Sequence, residues 1–132
     1  MTPEEANTFI DELYAATAAG DWDKVATMVT DDLVINEAPG LPMQGQYTGK
    51  NALRDLYIDV FKMLQVESLE MVERTFGGDW ACCLLKMHYG KGLEPAELVE
   101  CFRFRGDKLA EIKPYYYDPA PVNAAAAAFS GS

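Results

Sequence analysis

The sequence predicts an α+β domain in which helices pack on one face of a curved antiparallel sheet, and three observations carry that expectation. Apolar residues recur three and four positions apart through the first half of the chain, the spacing of amphipathic helices. From Val66 onward the pattern changes to alternation broken by Gly77-Gly78, Gly90-Lys91-Gly92 and Gly106-Asp107, which describes four consecutive strands joined by tight turns. At 132 residues, 49% of them hydrophobic, the chain holds one domain with its own core. We place that domain at residues 1–118 and treat residues 119–132 as a C-terminal tail.

Thr2-Pro3-Glu4-Glu5 has the form of a capping box with proline at the first helical position, so a helix starts there. Phe9, Ile10, Leu13, Tyr14 and Thr17 form its buried stripe, and Gly20 stops it. Asp21 then caps a second, short helix carrying Trp22, Val25 and Val29, which completes a helical hairpin. Leu33 to Glu37 is a short strand in which Glu37 shares a face with Leu33 and Ile35, and Ala38-Pro39-Gly40-Leu41-Pro42 breaks it. A third, long helix follows, with Leu53, Leu56, Tyr57, Val60, Phe61 and Leu64 along one face.

The four remaining strands run from Val66 to about Phe76, Trp80 to Tyr89, Ala96 to Arg105 and Leu109 to Tyr116, in the order of an antiparallel meander. In the second, Cys83, Leu85, Met87 and Tyr89 face inward while Cys82, Leu84, Lys86 and His88 face out; in the last, Ile112, Pro114 and Tyr116 are the inner set. A sheet with helices on one face bends around a hollow. The tail, with Pro119, Pro121 and the run Ala124 to Ala128, shows no amphipathic pattern; a lid, a partner contact and a frayed end are all compatible with it.

Glu100 stands out because Leu98, Glu100, Phe102 and Phe104 share one strand face while Arg103 and Arg105 take the other. An ionised carboxylate among phenylalanines costs several kcal/mol, of order ~2–7 even for lesser polar groups, unless a partner compensates it or its pKa rises. Glu100 is therefore either one half of a structural ion pair or a functional acid. Glu37 closes an inward-facing strand beside a turn, so the two carboxyl groups together are the candidate chemistry.

Other schemes have little support. The three cysteines have no metal-ligand or disulfide-framework spacing, and His88 is the only histidine, in register with Lys86. A formal charge of -10 repels nucleic acid and anionic membranes, and no stretch is long enough to span a bilayer. The polar, acidic N-terminus lacks the features of a secretory signal, so a cytoplasmic location is expected.

The element order, together with Ala19-Gly20-Asp21-Trp22-Asp23, Thr30-Asp31-Asp32, Gly45-Gln46-Tyr47-Thr48-Gly49-Lys50-Asn51-Ala52, Glu100-Cys101-Phe102-Arg103-Phe104 and Ile112-Lys113-Pro114-Tyr115-Tyr116, resembles the nuclear transport factor 2-like superfamily and its SnoaL-like and ketosteroid-isomerase-like branch. The resemblance spans roughly residues 3–118 and implies a cone-shaped sheet against the helical hairpin and the third helix. By this resemblance Glu37 falls where the isomerases place their carboxylate base. Glu100 falls where they keep a protonated acid that donates to an oxyanion, the handling of a neutral carboxylic acid for which such isomerases are a known example. Tyr57 matches a helix tyrosine that supports that site. The isomerases' first-helix oxyanion tyrosine maps onto Leu13; Tyr14, next along, projects about 100° further around the helix and replaces it only if the helix is rotated.

The resemblance implies catalytic positions Glu37, Glu100 and Tyr57, with Leu13, Tyr14, Met87, Tyr89, Phe102 and Tyr116 around a small hydrophobic ligand, no cofactor and no metal. Three functions follow: a cofactor-independent proton-transfer enzyme, isomerase or polyketide-cyclase-like, acting on a small hydrophobic carbonyl compound; a non-catalytic binding or interaction module; and an epoxide-hydrolase-like enzyme, which needs an inward arginine between its carboxylates. Arg54 and Arg74 are the arginines whose direction the pattern leaves open. A homodimer through the outer sheet face, where Cys82, Leu84 and Val99 lie, is also expected by analogy.

Overall fold

The computed structural model of the chain describes residues 1–130. Helix α1 spans Pro3–Ala19, α2 Trp22–Met28, α3 Ala52–Leu64 and α4 Ala120–Phe129; strands are β1 Val29–Glu37, β2 Gly45–Thr48, β3 Val66–Gly77, β4 Trp80–Tyr89, β5 Ala96–Arg105 and β6 Lys108–Tyr116. They form a six-stranded sheet of order β2-β1-β6-β5-β4-β3 with the helices against its concave side.

The local devices work as their chemistry dictates. At the start of α1 the Thr2 hydroxyl accepts from the Glu5 backbone N–H at 3.1 Å, and the Glu5 carboxylate accepts from the Thr2 N–H at 2.9 Å. Such a cap is worth about 1 kcal/mol. Gly20 ends the helix in the left-handed region at φ 70°, where a side chain would be strained. Asp21 then accepts from the Lys24 N–H to start α2. The sharp turn folds α2 back on α1 and delivers Val29 directly into β1, so Val29 opens a strand instead of closing the helix.

The sheet is mixed, which corrects the wholly antiparallel expectation. The four-strand meander is antiparallel throughout, but it begins at the far edge with β3 and works back, so β6 arrives beside β1 running in the same direction, with Ile35 opposite Ile112. A strand was also missed: after the Pro39 to Pro42 turn, Gly45–Thr48 returns along β1 as β2. It is short and polar, with no alternating pattern to reveal it. Register shifts in β3 near residues 67 and 72 mark bulges, which bend a strand and increase its twist. They help to roll the sheet around α3.

The C-terminal tail is ordered as α4. Val122 and Ala125 are fully buried, Asn123 donates to the Gly40 carbonyl at 3.1 Å, and Lys91 donates to the Ala128 carbonyl at 3.4 Å. The helix thus bridges the β1–β2 turn and the β4–β5 turn across α3. Alanine favours helix but gives no contrast between faces, so periodicity carried no signal here. The tail's last two residues, 131 and 132, lie outside the described residues. No helix among the described residues is long and apolar enough to cross a membrane.

On the outer face Val72, Leu84 and Tyr115 are exposed beside Val99. Val122→Ala is expected to lower stability by about 2 kcal/mol, through lost burial and the cavity left behind. Urea denaturation measures this, and an unchanged midpoint would mean that α4 is not docked.

Candidate active site

The concave side of the sheet is not filled solid. A cavity of about 100 Å³ lies between α1, α3 and the inner faces of β4, β5 and β6, and both Glu37 and Glu100 line it. Its remaining walls are mostly apolar: Leu53, Leu56 and Val60 of α3 face Leu85, Leu98 and Ile112 of the sheet. A second hollow of about 310 Å³ shares Tyr14, Thr17, Tyr57 and Phe61 with the first and continues past Ser68 and Arg74 of β3.

Two aromatic contacts hold α1 over β5. Phe9 meets Phe104 edge-on with centroids 5.2 Å apart, and Tyr14 meets Phe102 edge-on at 6.2 Å. Such pairs contribute about 1 kcal/mol each beyond the area they bury. In this seating the Tyr14 hydroxyl donates to Glu100 Oε1. Tyr14 thus reaches Glu100, and Leu13 lines the cavity beside it. Helical geometry alone separates the two by about 100°; a curved wall lets both reach the same hollow.

Glu100 lies on β5 between Cys83 of β4 and Pro114 of β6. No cation pairs with it among the described residues, so the ion-pair explanation for its inward position is removed. Burial pushes its pKa up, and the Tyr14 hydrogen bond, which favours the charged form, acts against that rise. Glu37 ends β1 with 7% of its surface exposed, and its Oε1 has no hydrogen-bond partner. Burial first, and then the Glu100 charge, push it up to about 8. The two groups therefore compete for one negative charge, and ionising either opposes ionising the other.

The remaining candidates divide by position. Met87, Phe102 and Tyr116 line the cavity, and burial followed by the charges of Glu37 and Glu100 raises the Tyr116 phenol. Tyr57 lines it too, stacked on Phe61 at 4.2 Å and edge-on to Trp22 at 5.2 Å, but its hydroxyl makes no bond to Tyr14 or Glu100. Tyr89 is outside the lining set. It has the inward register but sits at the end of β4 opposite Val66, where its buried hydroxyl has no partner and burial pushes it up to about 12. Thr17 was noted only as part of a buried stripe; it lines the cavity with its hydroxyl donating to the Tyr14 carbonyl at 3.0 Å.

Among the described residues no arginine bridges the carboxyl groups. Arg74 pairs with Asp11 at 2.7 Å and Arg54 with Asp55 at 3.0 Å, while Arg103 and Arg105 point outward to Glu111 and Asp32. No cluster of three or more potential metal ligands occurs among the described residues.

The SnoaL-like domain family matches residues 10–112, and no match was found among curated proteins. Solved structures share the fold at low identity. An NTF2-like protein from Burkholderia xenovorans is 18% identical over 96% of this chain and 98% of its own, with a TM-score of 0.77. A protein from Sinorhizobium meliloti called a candidate polyketide cyclase is 19% identical over 86% of this chain and 95% of its own, at 0.66. A de novo designed protein with a curved β-sheet is 14% identical over 95% of this chain and 94% of its own, at 0.73.

A raised carboxyl pKa has a consequence for stability. The folded chain holds a proton on Glu37 that the unfolded chain, near 4.5, releases, so stability present below about 4.5 is lost as the pH rises towards about 8. At about 1.4 kcal/mol per unit the loss is of order 5 kcal/mol. Glu37→Gln is expected to be the more stable protein at pH 8.5 by about 4–5 kcal/mol and nearly equal to the parent at pH 4.5, as read by urea denaturation at the two pH values. Equal stability at both would mean that Glu37 titrates normally.

Proposed function

The chain belongs to the SnoaL-like domain family, and from that premise we propose that it is a cofactor-independent proton-transfer enzyme of isomerase or polyketide-cyclase type, acting on a small hydrophobic carbonyl compound. One observation carries the reading: two carboxyl groups without a cation open into one mostly apolar cavity, one hydrogen-bonded by a tyrosine and the other with an unpartnered oxygen. Proton transfer next to a carbonyl requires a base and a donor to the developing oxyanion, held in different environments.

The hydrogen bond from Tyr14 favours charge on Glu100. A carbonyl oxygen bound at that end reverses the preference, because an enolate beside an ionised carboxylate is repelled. The shared proton then belongs on Glu100, which becomes a donor, and the charge belongs on Glu37, which becomes the base. Glu37 takes the α-proton and returns it one or more atoms away, while Glu100 and Tyr14 hold the oxygen. The solved structure from Sinorhizobium meliloti that shares this fold is called a candidate polyketide cyclase, one of the two enzyme types proposed for this chain. Tyr57 contributes wall and not a hydrogen bond.

Size limits the substrate. A dry cavity of about 150 Å³ holds benzene, so about 100 Å³ accepts a carbonyl fragment of a few carbons, with any longer portion in the adjoining hollow. The arginine placements disfavour the epoxide-hydrolase scheme.

The test is exchange of an enolisable ketone's α-hydrogen with solvent deuterium. Glu37→Gln is expected to abolish exchange; Glu100→Gln, which keeps an N–H donor, is expected to retain part of it. The opposite pattern would assign the base to Glu100, and exchange surviving in both would refute the scheme. Tyr14→Phe is expected to slow exchange by roughly 10²–10³-fold. The parent rate should fall as the pH rises through about 8, where the pair loses the proton it shares and neither carboxyl group is left to donate to the oxygen. A rate flat from pH 6 to 9 would show that no group of the pair titrates in the working complex.

A further inference from the structure

The convex side of the sheet carries a feature outside the cavity. Cys82 of β4 and Cys101 of β5 are direct cross-strand partners, and their Sγ atoms are 3.3 Å apart. Both are partly exposed, while Cys83 is buried on the opposite face. Thr75 of β3 and Lys113 of β6 flank the pair in the same ladder. Facing residues on antiparallel strands have Cα atoms about 4.5–5.5 Å apart, within the range of about 4.4–6.8 Å that a disulfide spans. Closing the remaining gap needs side-chain rotation and little backbone movement.

We propose that Cys82 and Cys101 form a redox-addressable thiol pair that closes to an intramolecular cross-strand disulfide on meeting a disulfide oxidant such as oxidised glutathione. One thiolate attacks the oxidant, forming a mixed disulfide and releasing one glutathione thiolate. The second cysteine then attacks the protein sulfur of that mixed disulfide and expels the other glutathione. The two protein thiols are oxidised, the oxidant is reduced to two thiols, and the two protons leave with them. Burial and the hydrogen bond with Cys82 push the Cys101 thiol up to about 12, so the reaction is slow at neutral pH.

The bond has a defined structural effect. The neighbours of the pair, Cys83 and Glu100, face each other on the inner side, so an 82–101 disulfide clamps the two strands directly behind the inward carboxyl group. It also closes a loop containing the whole β4–β5 hairpin turn, which limits the unfolded chain and raises stability.

The experiment incubates the reduced protein with oxidised glutathione at mildly alkaline pH, then counts free thiols after denaturation and maps the peptides by mass. The expected result is that two of the three thiols disappear, that the mass falls by two hydrogens, and that one peptide pair joins 82 to 101 while Cys83 stays free. Closure should be independent of protein concentration, and Tm should rise by about 5 °C or more and return on reduction. Cys82→Ser and Cys101→Ser should each abolish the crosslink. Three persisting thiols, a stable mixed disulfide as the end product, or a crosslink between two chains would each overturn the proposal, the last by showing that this face joins copies of the chain. None of these readouts depends on catalytic activity.

Discussion

Two acidic side chains are held in a mostly apolar hollow with no cation among the described residues to neutralise them. A charge there is disfavoured by burial, and a second charge by the first, so the pair retains a proton near neutral pH that isolated carboxyl groups would release. Filling the hollow with side chains would improve packing, but it would remove the volume into which both groups open. The uncompensated pair costs the fold stability once the pH rises far enough to remove the retained proton.

The scaffold keeps the hollow open by placing large side chains at its rim and walls. Phe9 and Tyr14 fix α1 against Phe104 and Phe102 of β5. On the opposite side Trp22, Tyr57 and Phe61 form an aromatic row that ties α2 to α3. Helix α4 closes over α3 from outside and joins two turns that are distant in sequence. With both ends of the helical layer fastened, the bulged β3 and the meander curve around α3 instead of collapsing onto it. The designed protein sharing this fold underlines that the curved sheet is a general solution and that chemistry depends on the residues set into it.

Much of this was legible in the sequence because the signals are local. The capping box at Thr2, the glycine stop at Gly20, the stripe along α3 and the alternation in β4 and β5 each depend on neighbours within a few positions, and each element formed where its pattern lay. The inward register of Glu100 came from the same alternation. What was missed had weak or absent local contrast: the four-residue β2, the alanine-rich α4, and the placement of Tyr89 beyond the cavity wall.

The sequence by itself determined the element order, the inner and outer faces of the meander, and the presence of a carboxyl group among phenylalanines, since strand and helix periods are set by backbone geometry. Only the tertiary structure decided which groups meet. The seating of α1 joined Tyr14 to Glu100, the return of the meander laid β6 parallel to β1, and the β4–β5 register brought Cys82 against Cys101. Those outcomes depend on contacts between residues far apart in the chain, where small rotations and one-residue shifts choose the partner, and no local pattern records them.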